Sequence, residues 1–298
     1  MSASVVIGKP GIDSRISSLE ASNSTLLRYP TQFTQGIIPK AIHSHNDYWR
    51  DVPLFTALSL GVASVEADVW LVGQDLLVGH ELAALTQGRT FDALYIQPLL
   101  EIIHGQNPKN GLTVNQTRPN GIFDTSSGTP LQLLVDIKTE GSSTLPFVIK
   151  ALQPLRTSGY LTTFSNGSLQ QSAVTVVGTG NTPLEGIKAL SSRDIFFDAP
   201  LATLATPLND TIWDNTIAPI ASTDYGAVVG WNGIRNITDT QLSIINQLIE
   251  DSHKVGLKAR FWDTPGWPIN ARENVWKQLL DSGADWLNAD DLEAASSF

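Results

Sequence analysis

Glu66 and Asp68 lie two residues apart within Val65–Glu66–Ala67–Asp68–Val69–Trp70, so on a strand both side chains leave the same face and can share one cation. A solvated edge strand would tolerate such a pair, but the apolar neighbours point to burial, and buried carboxylates need a partner. A hard divalent cation, Mg²⁺ or Ca²⁺, takes carboxylate oxygens and answers that need. Asp136 ends the run Leu133–Leu134–Val135 and is a third candidate ligand. Lys138, two residues on, is either its counter-ion or a phosphate-binding cation. His43 and His45 alternate on an earlier run, and His80 follows Leu76–Leu77–Val78–Gly79. Imidazoles titrate near neutrality, so one can take a proton while another gives one to a leaving oxygen. Two histidines beside a carboxylate-held cation are suited to cleaving a phosphodiester. His104 and His253 read as ordinary hydrogen-bonded histidines.

Such residues need a scaffold that gathers strand ends. From Ala41 onward, short apolar runs bounded by turn residues recur with amphipathic segments between several of them, the pattern of a parallel sheet with crossover helices. The runs are Ala41–His45, Ser64–Leu71, Leu131–Lys138, Val174–Gly178, Asp194–Phe197, Ala227–Trp231, Lys258–Trp262 and Asp285–Asn288. They predict an α/β fold, a single-domain (β/α)₈ TIM barrel, with polar groups at strand ends: His43, Asp68, Asp136, Asp198, Asn232, Asp263 and Asp290. Helices are expected from Asp239, as N-cap, to Val255, from Arg272 to Asp281, and between Asp51 and Gly61. Residues 1–37 read as an N-terminal arm and 38–298 as the barrel. Within it, 81–130 is too long for a βα connection and reads as an inserted loop region over the mouth after the second strand.

Trp262 ends the seventh run, and the loop Asp263–Thr264–Pro265–Gly266–Trp267–Pro268 sets Trp267 at the mouth. Tryptophans there either brace the barrel or, like Trp70, invite a lipid or sugar contact. His45, Asn46 and Tyr48 are further candidates for phosphate or head-group contacts, although Tyr48 and Trp49 could equally pack beneath the first helix.

Composition narrows the partners. Of 298 residues, 42% are hydrophobic and 16% charged, and 19 basic against 29 acidic residues give a net charge of −10. That charge repels nucleic acid and anionic membranes, so at most transient membrane contact is expected. Cysteine is absent, which excludes disulfides and thiolate ligands. No apolar stretch has transmembrane length, and Met1 to Pro10 lacks signal-peptide character. Sequons begin at Asn23, Asn115, Asn166, Asn209 and Asn236 and lean towards a glycoprotein of the secretory pathway or vacuole.

Several segments resemble a known superfamily. Ile42–His43–Ser44–His45–Asn46, Ser64–Val65–Glu66–Ala67–Asp68–Val69 and Val78–Gly79–His80 resemble the opening of glycerophosphodiester phosphodiesterases and phosphatidylinositol phospholipase C barrels. Leu134–Val135–Asp136–Ile137–Lys138–Thr139 is similar to a segment of the spider-toxin sphingomyelinases D. Arg260–Phe261–Trp262 and Gly283–Ala284–Asp285–Trp286–Leu287–Asn288 are similar to the last two strands of both groups. Residues 38 to 293 carry the resemblance. His43–Ser44–His45–Asn46–Asp47–Tyr48 with Val65–Glu66–Ala67–Asp68 most resembles fungal proteins of the altered-inheritance-of-mitochondria type.

The resemblance implies a metal-dependent phosphodiesterase acting on a phospholipid or glycerophosphodiester, with a cyclic phosphate as one form of product. It implies His43 and His80 as the acid/base pair, Glu66, Asp68 and Asp136 as ligands of one Mg²⁺ or Ca²⁺, and Lys138 and Trp262 in the substrate pocket. Ser44–His45 replaces the usual Arg-Gly after the first histidine, Glu81 replaces the Asp after the second, and a disulfide-held loop is impossible. These departures bear on the substrate more than on the chemistry. An acidic glycoside hydrolase is one rival, although it leaves His43 and His80 without a task. A catalytically inactive binding barrel is the other.

Overall fold

Runs of β-branched and aliphatic residues lie side by side as parallel strands in the computed structural model, which describes residues 11–22, 24, 27, 29, 31–109, 117–206 and 211–298. The strands are β1 (Lys40–Ser44), β2 (Val62–Val72), β3 (Asp75–Val78), β4 (Leu131–Ile137), β5 (Thr163–Ser165), β6 (Ser168–Gln170), β7 (Val174–Gly180), β8 (Ile195–Pro200), β9 (Ile220–Asp224), β10 (Lys258–Trp262) and β11 (Leu287–Ala289). Eight of them form a nearly closed barrel in the order β10-β9-β8-β7-β4-β2-β1-β11, and a lone parallel bridge, Arg260 to Trp286, spans the remaining seam. The barrel fold expected from the sequence is therefore the one observed. β3 folds back antiparallel on the long end of β2, and β5–β6 form a separate hairpin.

Helices α1 (Ile12–Glu20), α2 (Phe55–Ser59), α3 (Gln97–Gln106), α4 (Gly141–Ala151), α5 (Gln153–Thr157), α6 (Leu184–Lys188), α7 (Tyr225–Val228), α8 (Asp239–Lys254), α9 (Ile269–Asp281) and α10 (Leu292–Ser297) complete the chain. Strand alternation decides what faces them. Val65, Ala67 and Val69 of β2 and Leu133, Val135 and Ile137 of β4 pack in one apolar cluster with Leu58, Leu99, Ile103 and Val148 from the helices. A second cluster joins Phe261 of β10 to Ile245 and Ile249 of α8 and Leu279 of α9. Fully burying such side chains stabilises by about 1.5–3 kcal/mol each. The intervening positions turn inward, where the lining is strongly polar: His43, Ser64, Glu66, Asp68, Gln132, Arg260 and Asn288 are all buried.

Several boundaries differ from the sequence reading. The sixth strand is Ile220–Asp224, not Ala227–Trp231; most of the latter lies in and just after α7, whose N-cap Asp224 accepts from Ala227 N at 2.8 Å. Polar Ser222 interrupts the true strand, so its apolar run is too weak to stand out, and Asp224 replaces Asn232 as its polar end. α8 is capped by Thr238 rather than Asp239, because Thr238 and Gln241 satisfy each other's backbone amides in a capping box. Residues 81–130 hold more than loop: α3 lies within them, with Leu99 and Ile103 buried in the core, as a crossover helix requires. The sequon residues Asn166 and Asn236 are exposed, whereas Asn23, Asn115 and Asn209 lie outside the described residues. Among the described residues no helix is long and apolar enough to cross a membrane.

Candidate functional site

The carboxylates meet because β2 and β4 pair in parallel with Asp68 opposite Asp136. The same register and the two-residue pleat bring Glu66 to the inner face beside them, and ligand oxygens of Glu66, Asp68 and Asp136 lie within 4.8 Å of one another. Lys138, which follows β4, places Nζ 2.9 Å from Asp68 Oδ2 and 3.1 Å from Asp136 Oδ2. It is thus a counter-ion to both, while the buried Oδ1 atoms of Asp68 and Asp136 have no donor. Gly180 makes room for Asp136: a Cβ there would meet Asp136 Oδ1 at 2.0 Å, and its φ is +63°.

Charge is divided unevenly among the three. Burial resists ionisation of Glu66, but His43 and the Arg260 guanidinium, 4.0 Å from Oε1, hold its carboxyl below the ordinary range. Burial, with Glu66 and Asp136 alongside, pushes Asp68 up to about 6. Burial also raises Asp136 in spite of Lys138. Lys138 itself is raised, since Asp136 and Asp68 outweigh its own burial. Acids destabilised by each other, with unpartnered oxygens, are the donor set a hard divalent cation discharges.

Histidines stand on both sides of this cluster. His43, fully buried on β1, contacts Ser64 Oγ through Nδ1 at 2.7 Å, and its Nε2 lies 3.6 Å from Glu66 Oε2, beyond hydrogen-bond reach. Burial and then Arg260 lower its pKa to about 3, so it is neutral at physiological pH. His80, half exposed after β3, sets Nδ1 3.4 Å from Asp68 Oδ2 and 3.2 Å from the Tyr48 hydroxyl. Its loop is held by Trp70 Nε1 donating to Gly79 O at 2.6 Å, which gives Trp70 a bracing role. Trp49 lies edge-on to the His80 ring at 5.3 Å.

The substrate candidates divide. His45 pairs Nδ1 with Asp290 Oδ1 at 2.9 Å and holds Nε2 4.0 Å from Glu66; burial opposes its protonation, but Asp290 and Glu66 raise its pKa overall. It also borders a small cleft of about 140 Å³ beside Asp263 and Asp290. Asn46 is buried, with its side-chain amide beside His45 Nδ1 at 3.3 Å. Its left-handed φ of 49°, which Asn tolerates, carries its backbone N–H to Glu66 Oε2 at 3.0 Å. Trp262 is partly exposed at the end of β10, and Trp267 stands exposed on the loop beyond it. His253 Nε2 donates to Asp285 Oδ2 at 2.8 Å, and His104 packs on Tyr160.

Two residues near the centre have partners that the sequence did not specify. Tyr48 does not merely pack: its hydroxyl reaches Asp68 Oδ2 at 2.6 Å and also meets Asn46 Oδ1. Arg260 lies buried inside the barrel, donating to Asn288 Oδ1 at 3.0 Å, with Nη1 3.8 Å from Asp198. Burial pushes Asp198 up to about 7 although Arg260 opposes it. A charged residue alternating with Ala259 and Phe261 is the same signal that marked Glu66, and it was available in the sequence.

Residues 31–198 match the profile of the AIM6-like phosphodiesterase domain. The chain belongs to this family. It is 43% identical over 290 residues to "Altered inheritance of mitochondria protein 6 homolog" of Arthroderma benhamiae, covering 94% of this chain and 90% of that protein. It is 35% identical over 271 residues to "Altered inheritance of mitochondria protein 6" of Eremothecium gossypii, covering 86% and 69%. A Saccharomyces cerevisiae protein of the same name is 33% identical over 285 residues, covering 89% and 72%. The AIM6-like match takes in β1, β2, β4 and β7, and with them His43, His80 and all three clustered carboxylates.

Proposed function

We propose that this protein is a metal-dependent phosphodiesterase whose substrate is a phospholipid or glycerophosphodiester. The observation that carries the reading is the convergence of Glu66, Asp68 and Asp136 between two histidines, His43 against Glu66 and His80 against Asp68, at the C-terminal end of the barrel. Membership of a phosphodiesterase-type family supports it.

Glu66, Asp68 and Asp136 would hold one Mg²⁺ or Ca²⁺, which when bound supplies positive charge to a non-bridging phosphate oxygen. Asp68 and Asp136 each keep an oxygen free for this, since Lys138 engages only the other. His43 enters neutral, so it takes the proton of the attacking hydroxyl at Nε2, and ionised Glu66 stabilises the imidazolium as it forms. His80, oriented through Nδ1 by Asp68 and Tyr48, protonates the leaving alcohol. A substrate with a hydroxyl next to its phosphate yields a cyclic product by the same proton transfers. Exposed apolar side chains on loops at this end, Trp49, Leu82 and Trp267, suit a lipid better than a sugar phosphate. Exposed Asn166 and Asn236 fit a secretory or vacuolar address, which an endoglycosidase mobility shift checks.

Hydrolysis of bis(p-nitrophenyl) phosphate tests the reading, with Mg²⁺, Ca²⁺ or chelator present. We expect metal-dependent turnover, reduced about 100-fold or more in His43→Ala, His80→Ala and Asp136→Asn. No turnover with any divalent cation on this ester or on a lipid panel followed by phosphorus NMR sinks it and leaves a binding barrel.

A further inference from the structure

The barrel's opposite end carries a second chemistry. Residues at the N-terminal ends of its strands, Ala63, Gln132, Thr175, Phe196 and Lys258, with Trp286 just before β11, floor two adjoining cavities of about 480 and 660 Å³ that share Thr129, Lys258 and Trp286. This is the foot of the barrel, away from Asp68, Asp136 and Trp262 at the mouth. Barrel feet are ordinarily packed for stability rather than hollowed.

Charge at the foot runs against the rest of the molecule. Lys40, Arg118 and Lys258 line the two cavities, and among the described residues no Asp or Glu does, in a chain of 29 acidic residues and net charge −10. Gathering cations without a counter-charge costs electrostatic energy that a bound anion relieves. Lys40 gives one proton to Ser296 O at 2.6 Å, a neutral acceptor. Lys258 stands over the Trp286 ring at 5.3 Å, which holds the ammonium without neutralising it. Trp286 is itself 7% exposed and its indole N–H has no acceptor. Beside these cations the walls combine neutral polar side chains with apolar ones, Phe196, Leu169 and Pro130 in one cavity and Ile38 and Ala63 in the other.

We propose that the foot of the barrel is a binding site for an amphipathic organic anion, a carboxylate or phosphate monoester with an aliphatic or aromatic body. The anionic group sits at the Lys258 ammonium, and the body lies along the apolar walls. The site is separate from the carboxylate cluster and does not depend on the phosphodiesterase reading.

Calorimetric titration of the full chain with octyl phosphate and with octanoate tests this, both kept below micelle-forming concentrations. We expect saturable one-to-one binding of at least one of them. Lys258→Met should weaken it by about tenfold or more, the loss of one charge-assisted contact. Trp286→Phe should weaken it as well, while Asp136→Asn leaves it unchanged. Binding of only one probe still supports the site and identifies the head group. Absence of saturable binding to both, affinity unchanged in Lys258→Met, or affinity lost in Asp136→Asn overturns the proposal, the last by moving the ligand to the mouth. Circular dichroism of each variant separates lost binding from lost fold.

Discussion

Asp136 owes its position to a neighbour with no side chain, and that dependence can be measured. Any Cβ at position 180 would press on Asp136 Oδ1 at 2.0 Å in a backbone conformation, φ +63°, that other residues rarely adopt. Gly180→Ala should therefore weaken divalent-cation affinity by about tenfold or more while the far-ultraviolet spectrum is kept, read by metal titration. His43 gives a second test at this scale. Its folded pKa of about 3 lies below the ordinary 6.5, so between those values the unfolded chain binds a proton that the folded chain refuses. Stability conferred by neutral His43 is full above pH 6.5 and falls as pH drops towards 3. In chelator, His43→Gln should flatten the stability curve between pH 6 and 4 by up to ~1.4 kcal/mol per pH unit, measured by urea unfolding. Identical slopes would show that burial leaves this histidine free to titrate. The site was legible where residue chemistry and strand period coincide, as at Glu66, Asp68 and Asp136. It was only half legible at Tyr48, where a head-group contact and packing stood as alternatives and the hydrogen bond to Asp68 was neither.

At the scale of elements, the long strand runs were readable because parallel strands buried on both faces are almost continuously apolar. β9 was hidden for the same reason turned round: Ser222 faces Arg260 inside the barrel, with its Oγ 3.4 Å from Nη1, and breaks the apolar run. Its apolar neighbour Ala227–Val228–Val229 then mimicked a strand, although Asp224 caps a helical turn there. A polar interior disguises the strands that build it. α8 shows how far local signals reach. Its apolar stripe gave its extent, while its start depended on which of two adjacent polar residues, Thr238 or Asp239, closes the capping box with Gln241. Thr238→Ala should cost about 1 kcal/mol in chemical denaturation, and Asp239→Ala distinctly less. The reverse order would place the cap where the sequence alone suggested it.

At the scale of the whole molecule the barrel is not equally well joined around its circumference. β2 and β4 pair through six residues from Ser64–Gln132 to Val69–Ile137, whereas β10 and β11 meet only at the bridge from Arg260 to Trp286. Helped by Ala259 O, which accepts from Asp285 N at 3.1 Å and Trp286 N at 3.3 Å, and by the Arg260–Asn288 bond, this junction has few amides to lose before it parts. Local openings of low free energy exchange their amide protons first. Deuterium should therefore enter 258–262 and 286–289 well before 131–137, and simultaneous labelling of both regions would contradict this. Arg260 works on both sides of that junction, tying Asn288 across it while facing Glu66 within. Any breathing of the wall there loosens the guanidinium that, after His43, helps keep Glu66 charged, so the acidity of the cluster is tied to how tightly the cylinder is shut.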